Sequence, residues 1–290
     1  MNKLILNFLV LSVVALPASF VMAQTNTNRI SVTVSGKGPD VVLIPGLASS
    51  AAVWNATVQH LESQYRVHLV QVAGFAGAPA GPNASGEVVQ PTVDAIDAYV
   101  RAHNLKAPAV IGHSLGGLMG LMLAQQHPDD VAKLMIVDSL PFFSVIMGST
   151  NAADAAPRAA QWRDNVIAQS QEAFEQSQAQ LLSVLVKSPQ GYTTATNWSA
   201  KSDRSVVARA LYEVMTTDVR GKLSQVKIPV TILYPWAAIS GQSPEGSGRI
   251  YRDNYEPLPN KKFVRIDDSY HFIMLDQPEA FWKAVDAFLE

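Results

Sequence analysis

The stretch that most restricts what this chain can fold into runs from Ala107 to Gln126. An apolar run, Ala107-Pro108-Ala109-Val110-Ile111, leads into Gly112-His113-Ser114-Leu115-Gly116, and a helix-compatible segment continues from Leu115 to Gln126. A strand, a very sharp turn and a helix in that order need small residues on both sides of the turn. Gly112 and Gly116 remove Cβ atoms where the strand and helix backbones crowd, and Gly117 leaves room in the first helical turn. Ser114 stands at the apex. A Ser hydroxyl is a poor nucleophile unless the fold pushes it outward and supplies a base. The spacing GxSxG is weak evidence by itself; the strand before it and the helix after it give it weight.

The rest of the chain repeats the strand–helix rhythm. Strands are expected over Ile30–Ser35, Asp40–Ile44, Tyr65–Val72, Val131–Val137, Pro229–Tyr234 and Lys262–Ile266. Helices are expected over Val53–Glu62, with Trp54 and Leu61 inward, and over Thr92–His103, with Val93, Ile96, Ala98 and Val100 inward. A last helix is expected over Gln277–Leu289, capped by Asp276. Such alternation predicts an α/β fold, with a mostly parallel sheet covered by helices on both faces. The rhythm breaks between Pro141 and about residue 220, where the chain is Ala-, Gln- and Ser-rich and helical in propensity. The domain reading is therefore a core over 24–140 and 221–290, interrupted by a helical cap over 141–220. Ligands of open α/β sheets bind beyond the carboxyl ends of the strands, so a cap inserted there would cover Ser114.

The first 23 residues are set apart. Lys3 is followed by an apolar core from Leu4 to Val14, and the segment closes Phe20-Val21-Met22-Ala23. That pattern predicts a secretory signal cleaved after Ala23, hence export to the periplasm or beyond, with no stable membrane anchor remaining. Removing 23 of 290 residues leaves 267, enough for one large domain with an insertion. The chain has no Cys, which excludes disulfides. Net charge is −2 with no basic stripe, so nucleic acid is not an expected partner. The six His residues lack ligand spacing, and neither a metal nor a cofactor is expected.

A Ser nucleophile needs a base, and His271 follows the last expected strand, at the edge where Ser114 opens. His113 adjoins Ser114 in sequence and is expected to support the pocket; the other His residues read as surface or packing groups. The base needs a carboxylate to fix its tautomer. The segment after the next-to-last strand, Leu233 to Ser240, contains none; the first beyond it is Glu245. Asp138, at the end of the strand after the Ser turn, is preferred, with Glu245 the rival. The order Ser114, Asp138, His271 agrees with the order usual for this architecture. Two amides are needed for a developing oxyanion. Leu115 is expected to supply one, and Leu47, in Pro45-Gly46-Leu47 after the first core strand, the other.

Three segments together resemble the α/β-hydrolase superfamily: Leu43-Ile44-Pro45-Gly46-Leu47 with Trp54 downstream, Gly112-His113-Ser114-Leu115-Gly116-Gly117, and His271-Phe272 through Asp276-Gln277-Pro278-Glu279. The resemblance spans nearly all of the chain after Ala23. It implies an eight-stranded, mostly parallel sheet with a helical cap, and it is strongest to the esterase, lactonase and peroxidase-like branch. Pro45 replaces the His common before the oxyanion glycine, and the usual acid position is empty. Some relatives carry the acid after the strand that follows the Ser turn, which favours Asp138.

The expectation is thus a serine hydrolase acting through an acyl-enzyme on carboxylic esters of small, largely apolar molecules. Phe142 to Met147, with Trp162, Met215 and Trp236, suggest an apolar pocket. Lactone hydrolysis stays open beside it. Amide cleavage in the manner of aminopeptidases would need an acidic group for the substrate amine, and Asp154, Asp164, Glu172 and Glu175 are scattered along the cap. A non-catalytic ligand-binding member of the fold is the third reading.

Overall fold

The structure is a computed structural model that describes residues 24–26 and 28–290. The expected signal segment lies outside the described residues. Eight strands form one sheet in the order β1-β2-β4-β3-β5-β6-β7-β8. They are β1 (Gln24–Asn26), β2 (Ile30–Gly36), β3 (Asp40–Ile44), β4 (Arg66–Val72), β5 (Ala109–His113), β6 (Lys133–Val137), β7 (Val230–Trp236) and β8 (Lys261–Asp267). The pairs β1/β2 and β2/β4 are antiparallel, and all later pairs are parallel.

The central strands are continuous apolar runs because both faces are covered. Val42 and Ile44 turn to one side, where α2 (Val89–Ala102) and α3 (Leu115–Gln126) pack; Val41 and Leu43 turn to the other, against α1 (Asn55–Leu61) and α11 (Pro278–Leu289). Between β6 and β7 lie four insertion helices, α4 (Ala152–Ala168), α5 (Gln171–Leu185), α6 (Pro189–Ala200) and α7 (Arg204–Thr216). Each starts at a side-chain cap: Asn151, Ser170, Ser188 and Asp203 accept from amides of the first turn. Among the described residues, no helix is long and apolar enough to cross a membrane. Three short helices, α8 (Pro244–Ser247), α9 (Arg249–Asn254) and α10 (Ile273–Asp276), occupy the connections around β8.

The chain departs from the sequence expectations at several points. β1 is not among the expected strands, since Gln24-Thr25-Asn26 offers no apolar residue; it pairs antiparallel with Ser31–Thr33. The expected helix from Val53 begins instead as a 3-10 turn over Ala51–Trp54, capped by the Ser50 hydroxyl, before α1. Helix α2 begins three residues before Thr92. Its first amides, those of Val88 and Val89, donate to the carboxylate of Glu213 on α7, a cap 124 to 125 residues away in sequence. Ala98 is exposed, because α2 turns Asp97 and Tyr99 inward instead. Asp276 does not cap α11: the N-cap residue is Gln277, with no side-chain bond.

Candidate active site

From Pro108 to Ala124 every residue is buried except Ser114. Its φ of 53° and ψ of −119° hold it in a conformation that side chains rarely adopt. The surroundings enforce that geometry. A Cβ on Gly112 would stand 2.2 Å from the Gly116 carbonyl oxygen, and one on Gly116 would stand 2.3 Å from that of Ile44. The Ser114 amide donates to Val137 O at 2.9 Å, and the Asp138 amide donates to Leu233 O at 2.9 Å. These bonds extend the parallel ladders by one step, so Ser114 and Asp138 emerge side by side from the carboxyl ends of β5 and β6. Asp138 also has a positive φ, 47°.

His271 lies on the loop after β8. Its Nδ1 is 2.7 Å from Asp138 Oδ2, with the two side chains 17% and 13% exposed. Both groups are sheltered from water, where a hydrogen bond is electrostatically stronger than at the surface. The structure therefore brings Asp138 to His271. It leaves Glu245 on α8 with an exposed side chain, where its backbone carbonyl accepts from Arg252.

His113, fully buried, donates from Nε2 to the carbonyl of His271 at 3.0 Å and so braces the loop from below. Burial, and then the proximity of His271, push the His113 imidazole well below its ordinary pKa, which keeps it neutral. The β3 loop closes over the same point. A Cβ on Gly46 would stand 3.0 Å from His113 Nδ1 and 3.1 Å from Ser114 Cβ. Leu47 follows in a turn closed by Ser49 N to Gly46 O at 3.3 Å, with Ala48 at φ 54°. Among the described residues, neither the Leu47 nor the Leu115 amide donates to a protein acceptor, so both remain available to a ligand.

Asp276 has a different task from the one expected. Its Oδ1 accepts from the amides of Lys187 and Ser188, at the junction of α5 and α6, at 3.0 and 2.9 Å. Its Oδ2 accepts from Tyr270 N at 2.8 Å. One carboxylate thus ties the insertion to the residue before His271. Replacing Asp276 by Ala strands three amides and is expected to destabilise the fold by roughly 1–3 kcal/mol. Denaturant midpoints of wild type and variant test this; equal midpoints would contradict it.

The residues expected to form an apolar pocket take different places in the fold. Phe142 and Met215 are buried in packing, Phe142 under the Arg220 guanidinium at 4.8 Å and Met215 beside the Ser144 hydroxyl. Ile146 and Met147 are exposed. Trp236 donates to Gln242 O and lies beneath Arg265. Elsewhere, Asp97, His127 and Asp130 form a trio of metal-ligand type. Arg101 already occupies it, bonding Asp97, Asp130 and His127 at 3.0 Å each.

Sequence reading also missed Tyr251, whose hydroxyl donates to Asp138 Oδ1. The available signal was the pair Tyr251 and Tyr255, one helical turn apart in the connection before the last strand.

A Ser strained outward at a strand–helix turn, beside an Asp–His pair from the next strand and the last loop, defines a class. The family model described as alpha/beta hydrolase fold matches residues 39–278, and the chain belongs to that family. Within it, the chain is 27% identical over 271 residues to the pimeloyl-[acyl-carrier protein] methyl ester esterase of Vibrio atlanticus, covering 89% of this chain and 96% of the relative. Among solved structures it is similar to an esterase from Exiguobacterium antarcticum (TM-score 0.75, 16% identity, 90% of this chain and 95% of that one). It is also similar to the enol-lactonase from Burkholderia xenovorans (TM-score 0.72, 17% identity, 90% and 96%).

Proposed function

We propose that this protein is an exported serine hydrolase that cleaves carboxylic esters of small, largely apolar molecules through an acyl-enzyme. The observation that carries the reading is the 2.7 Å bond between Asp138 and His271, placed beside a Ser held at positive φ. In the proposed mechanism Ser114 Oγ attacks the ester carbonyl. His271 Nε2 takes its proton and returns it to the leaving alcohol, then activates the water that releases the acid. Asp138 holds the Nδ1 proton, which leaves Nε2 free to accept. The Leu47 and Leu115 amides receive the oxyanion.

The curated relative named above is a methyl ester esterase, which supports ester chemistry. Export is supported by the segment from Lys3 to Ala23.

A series of p-nitrophenyl esters from acetyl to lauroyl tests the substrate class, beside γ-lactones and aminoacyl anilides. The expected result is turnover of the esters, fastest at short to medium chains. Turnover of lactones or anilides with none of any ester would overturn the assignment.

A further inference from the structure

Asp138 is a sheltered carboxylate, and its Oδ2 is committed to His271. Among the described residues no Lys or Arg pairs with it. Its other oxygen, Oδ1, receives the hydroxyl of Tyr251. Tyr251 belongs to α9, in the connection between β7 and β8. This connection begins Ala237-Ala238-Ile239-Ser240, where the resemblance would place the acid. Here it sends back a hydroxyl instead.

The donor is held from two sides. Its ring stacks on Tyr234 of β7, with centroids 4.9 Å apart. One turn on, the buried Tyr255 donates to the carbonyl of Ser139, the residue after Asp138, at 3.1 Å. Burial and the Asp138 charge push the Tyr251 phenol well above its ordinary pKa, so it stays protonated and donates at every working pH.

We propose that Tyr251 is a positioning residue of the site: its hydroxyl fixes the Asp138 carboxylate so that Oδ2 faces His271, and restrains the basicity of that carboxylate. The proposal rests on the Ser114–Asp138–His271 reading of the site. Without the hydroxyl, Oδ1 is left without its donor. The carboxylate then pulls harder on the Nδ1 proton, the imidazolium is stabilised, and His271 titrates at higher pH. The other titratable groups around the pair are His113 on β5, which contacts His271, and Tyr234 and Tyr255 beside Tyr251.

NMR titration of the His271 ring tests this without any substrate, so its outcome stands apart from whether the enzyme cleaves esters. In Tyr251→Phe the His271 pKa is expected to rise by about half to one unit. Tyr255→Phe, which leaves both Asp138 oxygens partnered, is expected to shift it less. The low-pH limb of kcat/KM on p-nitrophenyl acetate should move upward with it. Should Tyr251→Phe fold poorly, 3-fluorotyrosine at position 251 keeps the shape and strengthens the donor; the His271 pKa is then expected to fall. An unchanged or lowered pKa in Tyr251→Phe, or an unchanged or raised one with fluorotyrosine, would overturn the proposal.

Discussion

Ser114→Ala is expected to lower kcat on p-nitrophenyl acetate by roughly ten-thousandfold or more, while changing stability by no more than about 0.5 kcal/mol. The two halves of that expectation have separate causes. The loss of rate follows from removing Oγ, the only atom that forms the acyl bond in the proposed mechanism. The preserved fold follows from Ala keeping the Cβ that Ser114 already carries at φ 53°, so no new strain is introduced. Gly would be a poorer test, because it would relax the turn as well as remove the hydroxyl. Turnover near that of wild type in Ser114→Ala would remove Ser114 from the mechanism.

Asp138→Asn is expected to cost about as much, on the order of a thousand- to ten-thousandfold in kcat, with little change in KM. The size of the effect follows from the bonds around the carboxylate. Tyr251 is a donor, so the amide oxygen of an Asn would turn toward it and the NH2 toward His271 Nδ1. The imidazole would then have to accept at Nδ1 and carry its proton on Nε2, where it cannot take one from Ser114. Glu245→Gln serves as the comparison, since the Glu245 side chain is exposed and bonds to none of these groups. It is expected to stay within about twofold of wild type. A large loss in Glu245→Gln with none in Asp138→Asn would reverse the assignment of the acid.

The parts of the fold legible in the sequence are those set by local packing. Buried parallel strands such as Val41-Val42-Leu43-Ile44 read as apolar runs because both their faces are covered. The turn at Ser114 reads from its glycines because the clashes they avoid lie within a few residues or on the adjacent strand. What was illegible depends on partners distant in sequence. The start of α2 is fixed by Glu213 on an insertion helix, so no local signal marks it. Asp276 stands where a helix cap belongs, yet the amides that claim it come from positions 187, 188 and 270. The site divides in the same way. Chain order and strand ends pointed to Asp138 over Glu245, whereas Tyr251 emerges only once α9 folds back onto β7. The pocket residues were the least legible, since periodicity does not say which face of the insertion Phe142 or Met215 turns inward.

If Ser114 is an activated nucleophile, covalent labelling reports it directly. The full chain would be treated with a fluorophosphonate probe, digested, and the modified peptide identified by mass spectrometry, with Ser114→Ala in parallel. One adduct is expected, on the peptide that carries Gly112-His113-Ser114-Leu115-Gly116, and none in the variant. No adduct on the folded wild-type protein, or an adduct that persists in Ser114→Ala, would contradict it.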